Sequence, residues 1–351
     1  MTISLKHALY LSLTTTGLGL GRNSAPAAPA IQHDAEFSIL EARNGVRWKA
    51  DDKKIDARLA EIREKNGGKH PNIIYVLLDD LGFGEIGMPG MSVTRGYKTP
   101  NIDKLAAEGM SLQRMYTEPS CTPTRVAMMT GRLPVRTGTH EAKVTLAGDG
   151  LPGVEITVAE LLRDAGYTTS HVGKWHMGDI EQCFAHKQGF MHAAFPIHQQ
   201  AQLALMHTEA ERSDFTRGIA TDGSVPDTFN LDPSFVTNAS DMAFGVELRD
   251  EKLFEVGMKP GEKWSQKKYD EMNESYQRRA LDQLRSLAKA EAPFYLNYWP
   301  LYPVTFARRT DGAFKTLNGG SWAEAIVQVD EWIGQLVAEV DKLGIAGNTL
   351  I

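Results

Sequence analysis

The sequence predicts an α/β fold built on a large, mostly parallel mixed sheet with helices on both faces. Residues 72–78 form an almost unbroken apolar run, as in a strand that is covered on both sides. Strand-like and helix-like segments then alternate along the chain. Residues typical of helix starts and stops separate these segments. Together these features favour strand–helix–strand units over an all-helical or all-β protein.

Composition agrees with a soluble globular protein. The 351 residues are 42% hydrophobic and 23% charged, with 38 Lys and Arg against 44 Asp and Glu, giving a net charge of −6. This balance excludes a disordered or collagen-like chain. Its mildly acidic charge argues against a nucleic-acid partner. No stretch reaches the roughly 18 apolar residues of a membrane helix, so we expect no membrane span.

The N-terminal region is predicted to lie outside the main fold. In residues 1–33, Lys6 precedes the apolar stretch ALYLSL and then the small residues SAPAAPA, the order found in secretory signals. The alternative is a disordered extension. A signal implies a periplasmic or secreted protein, and its absence a cytoplasmic one. Residues 34–70 are predicted to form a helical extension, with a charged helix over 51–65.

The first elements of the main fold follow in order. After the strand at 72–78, Thr99 and Pro100 indicate a helix start and Gly109 a left-handed stop. Residues 110–116 are predicted to be a strand. Thr157 and Glu160 form a capping box for the next helix, and residues 167–172 follow as a strand.

The later elements complete a domain predicted to span residues 71–351. Residues 177–265 show weak periodicity and are predicted to be loops and short elements. A helix over 267–290, a strand over 293–299 and an apolar-striped helix from Ser321 follow. Residues 349–351 have the character of a strand start. Because strands usually run to about 5–6 residues, we expect this chain to be part of a longer one whose C-terminal part is missing here.

Two adjacent carboxylates, Asp79 and Asp80, follow the first buried strand. Ligands of open α/β sheets bind at the carboxyl ends of the strands. Neighbouring carboxylates stay ionised most easily beside a cation, and oxygen ligands suit Ca²⁺ or Mg²⁺. The alternative interpretation is a solvated turn.

Two further segments carry reactive groups to the same edge. Cys121 stands before a predicted helix start, where a thiolate is favoured, and Arg125 follows four positions later as an anion clamp. Lys174 and His176 follow the strand at 167–172, and spacing of two on an extended chain would point them the same way. The alternatives are a structural cysteine with a chance arginine, and a surface lysine with a core histidine. Together, a metal site, a nucleophile, an anion clamp and an acid/base pair form the set needed to hydrolyse a charged ester.

The motifs resemble those of the formylglycine-dependent sulfatases, especially the arylsulfatase type, within the alkaline-phosphatase-like superfamily. The resemblance covers about residues 71–190 and rests on the following segments: NIIYVLLDDLGFGEIG, TPNIDKLAAEG, CTPTRVAMMTGRLPVRTG and TVAELLRDAGYTTSHVGKWHMG. It implies an alkaline-phosphatase-like fold and a sulfuric ester hydrolase. It also implies a divalent cation, usually Ca²⁺ with Mg²⁺ as the alternative, and a maturation enzyme that generates formylglycine. The implied substrate is a sulfated small molecule or glycan.

The resemblance assigns roles to single residues. Cys121 matches the cysteine converted to Cα-formylglycine, whose hydrate supplies the attacking oxygen. Asp79 and Asp80 match cation ligands, with the converted Cys121 as a third. Arg125 matches the arginine that steadies the hydrate. Lys174 matches the lysine that contacts the sulfate, and His176 matches the histidine that helps to regenerate the aldehyde.

The sequence departs from the family pattern in two places. The histidine that protonates the leaving alcohol is replaced by Leu301 in WPLYPVTF, and His198 is a candidate to stand near the substrate instead. The family also continues its last strand into an Asp-Asn pair that completes the metal site, whereas this chain stops at Ile351.

Two alternatives to a sulfatase remain open at this stage. A phosphonate or phosphate ester hydrolase of the same superfamily would use the same nucleophile and metal. A truncated, inactive chain would fold and bind anions or partners without turnover. Cys183 is interpreted as structural, and we expect no disulfide between it and Cys121.

Overall fold

A computed structural model describes residues 35–142, 148–196, 246–249, 252–255, 266–303 and 320–351. The chain divides into two compact units, Met1–His70 and Pro71–Ile351. The first unit contains helix α1, Ala35–Lys65, with Arg63 and Lys65 in its last turn, where positive charge is favourable. The predicted charged helix at 51–65 is therefore present and begins earlier than expected. The predicted signal at residues 1–33 lies outside the described residues.

The second unit is built on a seven-stranded sheet. Its strands, in chain order, are β1 Asn72–Val76, β2 Thr168–Gly173, β3 His192–Phe195, β4 Val246–Arg249, β5 Lys252–Glu255, β6 Phe294–Trp299 and β7 Thr349–Leu350. Their order across the sheet is β5-β4-β3-β2-β6-β1-β7. The pairs from β3 to β7 are parallel, and β3–β4 and β4–β5 are antiparallel. The prediction of a mostly parallel mixed sheet is confirmed.

Helices flank this sheet. In the described part of the second unit they are α2 Ser92–Arg95, α3 Pro100–Glu108, α4 Cys121–Thr130, α5 Pro134–Thr137, α6 Val158–Asp164, α7 Gln266–Leu287 and α8 Gly320–Lys342. Short 3₁₀ turns lie at Pro89–Met91, Glu181–Cys183, Ala185–Lys187 and Ala346–Asn348. Helix α6 contacts β2, α7 contacts β2 and β6, and α8 contacts α3 and α7. All six residues of β6 are buried, which agrees with its mostly apolar and aromatic sequence.

The register of the central strands sets the position of the site. Strand β6 pairs with β1 from Ile73–Tyr295 to Val76–Tyr298, and with β2 from Thr168–Phe294 to Gly173–Trp299. All three strands run in the same direction. Their carboxyl ends therefore lie side by side, and the residues that follow them meet at one edge of the sheet.

Helix α6 begins as its sequence predicts. The backbone N–H of Glu160 donates to Oγ1 of Thr157 at 3.2 Å, and the backbone N–H of Thr157 donates to the Glu160 carboxylate at 2.8 Å. This reciprocal pair is the capping box. The Thr157 hydroxyl also donates to the carbonyl of Gln188 at 2.8 Å, which ties the helix start to the loop before β3.

The predicted strand at 110–116 is wrong. The described structure has no strand there, and the apolar side chains of this segment are largely exposed, namely Met110, Leu112, Met115 and Tyr116. Gly109, which ends α3, has φ −116°, so the expected left-handed stop is also wrong. A strand needs a paired neighbour for its backbone groups, and no described strand pairs with this segment.

Helix α3 is capped by a distant residue. Thr99 holds the N-cap position, but its hydroxyl donates to the Asp103 carboxylate at 3.1 Å and caps no backbone N–H. The buried carboxylate of Asp330, on α8, accepts instead from the backbone N–H of Asn101 at 3.2 Å and of Ile102 at 2.9 Å. A negative charge at a helix N-terminus also interacts favourably with the helix dipole.

Candidate active site

The predicted site residues converge where β1, β2 and β6 end. Asp79 follows β1, Lys174 follows β2, and Arg125 reaches the same point from α4. The Arg125 Nη2 donates to Oδ1 of Asp79 at 3.3 Å, and the Lys174 Nζ donates to Oδ2 of the same carboxylate. All three side chains are buried. The structure therefore joins one residue from each of the three segments that the sequence singled out.

The Asp79 carboxylate is held in its ionised form. Burial by itself would raise the pKa of Asp79, because a charged group loses its hydration. The positive charges of Lys174 and Arg125 and the hydrogen bond from Lys174 outweigh burial, and His176 adds to them, so the pKa lies well below its usual range. A carboxylate has about four lone-pair positions. Its two bonded oxygens therefore keep room for a cation.

Arg125 is fixed by three contacts. Besides its ion pair with Asp79, its Nη1 donates to the backbone carbonyl of Lys174 at 3.0 Å. Its guanidinium carbon lies over the ring of Trp299, 4.9 Å from the ring centre. Trp299 ends β6, and its contact with the site was not predicted from the sequence. This contact could have been inferred only from the pairing of β6 with β2, which places Trp299 beside Gly173.

Two site residues adopt left-handed backbone conformations. Asp80 has φ +57° and His176 has φ +55°, and they are the only non-glycine residues with positive φ in the part of the chain that the structure describes. The chain around His176 is thus not extended, and the expectation based on spacing of two is wrong in detail. Such conformations are costly and are concentrated at functional sites.

His176 lies close enough to the ion pairs on Asp79 to interact with that carboxylate. It is buried, and its charge acts on Asp79 strongly enough to contribute to the lowered pKa of that carboxyl. Among the groups that lower the pKa of Asp79, its effect is the smallest. An imidazole beside an ionised carboxylate can move a proton near neutral pH.

Cys121 is the first residue of α4, one position inside the helix, whereas the sequence placed it just before the start. Its Sγ lies 3.8 Å from the hydroxyl of the N-cap residue Ser120, and the residue is half-buried. Arg125 lies one turn later on the same face of the helix. The cysteine is thus at the positive end of the helix dipole, on the same helix as Arg125.

Cys183 lies in the core. It is fully buried, and its Sγ donates to the carbonyl of Leu151 at 3.2 Å. Both cysteines are free thiols. This agrees with the interpretation of Cys183 as structural.

The candidate donors for a cation are the oxygens of Asp79, which is buried, and Asp80, which is exposed. An all-oxygen pair fits Ca²⁺ or Mg²⁺ better than the metals that prefer thiolate or imidazole ligands. No group of three or more His, Cys, Asp or Glu side chains suited to a metal occurs among the described residues. Those residues therefore supply part of the six or more ligands that such ions take.

The two predicted departures concern the leaving-group side of the site. Leu301 is fully buried just after β6 and carries no titratable group, so it cannot donate a proton. His198, the suggested substitute near the substrate, lies outside the described residues.

The stretch that the structure describes also contains no helix long and apolar enough to cross a membrane.

Comparisons with known proteins all point in one direction. The family model described as Sulfatase matches residues 71–351. The N-acetylgalactosamine-6-sulfatase of Rattus norvegicus is 29% identical over 294 residues, covering 80% of this chain and 48% of the relative. The steryl-sulfatase of Homo sapiens is 47% identical over 122 residues, covering 33% of this chain and 20% of the relative. The chain thus spans about half the length of the first of these relatives, and less of the second.

A solved structure shares the fold. The PsFucS1 sulfatase from Pseudoalteromonas sp. superposes with a TM-score of 0.64 at 26% identity, covering 85% of this chain and 57% of that one. The predicted alkaline-phosphatase-like sulfatase architecture is confirmed by this likeness and by the mixed sheet itself.

Proposed function

The chain belongs to the sulfatase family, and from this premise we propose that it hydrolyses a sulfate ester at the carboxyl edge of its sheet. One observation carries the proposal. The cationic groups of Arg125 and Lys174 meet on a buried, ionised Asp79, and Arg125 lies one helical turn after Cys121 on α4. This arrangement suits an enzyme that must bind a sulfate group and offset the charge of its transition state.

We assign the groups that the family implies to residues of this chain. Asp79, Asp80 and the converted Cys121 would hold a divalent cation, and their oxygen donors favour Ca²⁺ over softer ions. Cys121 would carry the formylglycine. When bound, these groups supply an oxygen nucleophile and a positive charge.

The remaining residues bind and orient the substrate. The Arg125 guanidinium presents several N–H donors in one plane, which suits the oxygens of an anion, and the Lys174 ammonium adds a point charge. Burial of both groups strengthens their attraction for a sulfate, because little water screens them. His176 is the proton-transferring group of this set. His198 completes our assignment as a substrate contact.

The absence of a proton donor at Leu301 narrows the expected substrates. An alcohol with a high pKa needs protonation as it leaves, whereas an aryl oxide with a pKa near 7 leaves without it. We therefore expect aryl sulfates to react faster than alkyl sulfates. A sulfated small molecule or glycan remains the proposed natural class, since relatives are named for sulfated N-acetylgalactosamine and sterol.

The proposal includes a partner and a location. A formylglycine-generating maturation enzyme would have to recognise the C-T-P-T-R segment that begins at Cys121. The predicted signal in residues 1–33 supports a periplasmic or secreted protein.

Mass spectrometry of the Cys121 peptide tests the chemistry directly. After co-expression with the maturation enzyme, we expect the mass of formylglycine at Cys121 and an unmodified thiol at Cys183, which serves as the internal control. Release of p-nitrophenol from p-nitrophenyl sulfate should fall when the cation is removed with a chelator. It should return with Ca²⁺ and return less with Mg²⁺.

Three outcomes would contradict the proposal. An unmodified Cys121 thiol would exclude formylglycine chemistry. A preference for phenyl phosphonates over aryl sulfates by orders of magnitude would instead favour the phosphorus-ester hydrolase. A fully converted chain without turnover on either ester would favour the inactive alternative.

A further inference from the structure

We infer that Trp299 is a positioning residue, which holds the guanidinium of Arg125 in the orientation that an anion at this site requires. The inference rests on the proposed function, because that function gives Arg125 its task. Trp299 is fully buried, and its ring centre lies 4.9 Å from the guanidinium carbon. An aromatic face attracts a cation, and most strongly where water is excluded.

Contact through the ring face leaves the guanidinium edges available. All the N–H bonds of a guanidinium point outward in its own plane. A ring beneath that plane stabilises the charge without using any donor. Nη1 donates to the carbonyl of Lys174 and Nη2 to Asp79, whereas buried Nε has no hydrogen-bond partner among the described residues. The indole is thus the contact that sets the tilt of the plane.

Trp299 also touches Lys174 through its backbone. The Trp299 carbonyl accepts the backbone N–H of Lys174 at 2.7 Å, directly after the paired residues Gly173 and Trp299. The carbonyl of Lys174 in turn accepts from Arg125. Trp299, Lys174 and Arg125 therefore form a closed ring of contacts. The end of β6 at Trp299 therefore touches both residues whose cations face Asp79: the indole contacts Arg125, and the backbone carbonyl contacts Lys174.

Neighbouring rings fix the indole itself. The ring of His171 meets it edge-on at 4.9 Å between centres and 85° between planes. The ring of Trp175 is nearly parallel to it, with centres 6.1 Å apart and planes at 14°. His171 is uncharged, since burial and the charge of Arg125 lower its pKa to about 3. It therefore does not compete with Arg125 for the electron-rich face of Trp299.

Substitutions at Trp299 test the inference against a matched aromatic. Trp299→Leu removes the aromatic face, and Trp299→Phe keeps a smaller one. Phe190→Leu is the control, because Phe190 is equally buried in the same aromatic cluster and touches His171 and Trp175. A desolvated cation–π contact corresponds to a loss of about 30-fold in kcat/KM for Trp299→Leu. We expect less than about tenfold for Trp299→Phe, and no loss per folded molecule for Phe190→Leu.

A double-mutant cycle separates positioning from general packing. Arg125→Gln removes the guanidinium and its charge and leaves a shorter, uncharged polar side chain. If Trp299 acts through Arg125, Trp299→Leu should cost less than about threefold in the Arg125→Gln background. Affinity for inorganic sulfate, measured by calorimetry on the four proteins, should show the same non-additivity without any turnover. Urea unfolding of each protein gives the folded fraction.

The outcomes distinguish this inference from the proposed function. Equal losses for Trp299→Leu and Phe190→Leu, or full additivity with Arg125→Gln, would overturn the positioning role. Absence of turnover by the wild-type chain would overturn the proposed function. The sulfate-affinity cycle would still decide whether Trp299 orients Arg125.

Discussion

Asp79 is the residue at which the charges of the site meet. Its carboxylate binds Lys174 and Arg125, it is 7% exposed, and it also feels the charge of His176. Breaking a buried ion pair leaves a charge without its partner, which costs more than the pair itself contributes. We therefore expect Asp79 to contribute to stability as well as to the proposed cation site, whereas its neighbour Asp80 is exposed.

Comparison of Asp79→Asn with Asp80→Asn should separate the effect of the buried carboxylate on stability from the effect of either carboxylate on the cation site. We expect Asp79→Asn to lower the free energy of unfolding by about 3 kcal/mol and kcat by at least about 100-fold. Asp80→Asn should change the unfolding free energy by less than about 0.5 kcal/mol, since asparagine tolerates the left-handed backbone. Both should weaken Ca²⁺ binding. Urea unfolding and calorimetry measure these effects, and equal stability losses would contradict the assignment.

His171 should make stability depend on pH. Its folded pKa is about 3 against 6.5 for an ordinary histidine. Between these values the unfolded chain binds the extra proton, so stability rises with pH across this window and is lost as pH falls below 6.5. His171 contributes up to about 1.4 kcal/mol per pH unit there.

Urea unfolding at pH 4 to 7 measures this contribution. As pH falls, the free energy of unfolding of the wild type should decrease more than that of His171→Phe. The exposed His140→Gln is the matched control and should run parallel to wild type. A His171→Phe curve parallel to wild type would mean that folding does not lower the pKa of His171.

Most of the site was predictable residue by residue, and Trp299 was not. Asp79, Arg125 and Lys174 each stand beside a strand end or helix start that the sequence indicates, so their meeting follows from the fold class. In the sequence, Trp299 is simply the last residue of the predicted strand at 293–299. Its role depends on the register of β6 against β2, which no local pattern encodes.

At the scale of elements, the ends of β2 and β6 touch unusually closely. A Cβ at Gly173 would lie 1.8 Å from the Trp299 carbonyl oxygen, and Gly173 has φ +110°. Only glycine fits both the space and the backbone conformation. This close approach brings the Lys174 segment against the end of β6.

Gly173→Ala should therefore disrupt both the fold and the site. We expect the free energy of unfolding to fall by more than about 3 kcal/mol, with most activity lost. Gly153→Ala is the control, because a Cβ there meets no atom within 4 Å and the backbone φ is not positive. It should change stability by less than about 0.5 kcal/mol in thermal or urea unfolding. A near-neutral Gly173→Ala would show that these strand ends lie farther apart.

Local patterns predicted elements well where both partners are close in sequence. The Thr157 and Glu160 capping box joins residues three apart, and it forms as predicted. The prediction of a strand at 110–116 was wrong because a strand needs a neighbouring strand to pair with, and sequence periodicity does not reveal that neighbour. The Thr99 side chain does not cap the helix. The buried carboxylate of Asp330, far along the chain, accepts from the N–H groups of Asn101 and Ile102 instead.

At the scale of the whole molecule, Asp330 joins distant parts of the chain. It lies on α8 and accepts three hydrogen bonds from the start of α3, including one from the side chain of Asn101 at 2.9 Å. Gly334, one turn later, packs so closely on Asn101 that a Cβ would lie 2.5 Å from it. The two helices are thus fitted to each other at this point.

Asp330→Ala should lower the free energy of unfolding by about 3 kcal/mol, because it leaves buried N–H groups without an acceptor. Asp341→Ala, on an exposed position of the same helix, should change it by less than about 0.5 kcal/mol. Urea unfolding of both variants makes the comparison. Similar small effects would mean that water or another group replaces the cap.

The sequence by itself determined the α/β class, the central strands and which residue types gather at the candidate site, because these depend on residue type and short spacing. The tertiary structure decided which groups touch: Lys174 and Arg125 on Asp79, Trp299 beneath Arg125, and Asp330 on α3. Each of these contacts joins residues far apart in the chain. Their energies depend on burial and register, which exist only after the strands and helices have packed.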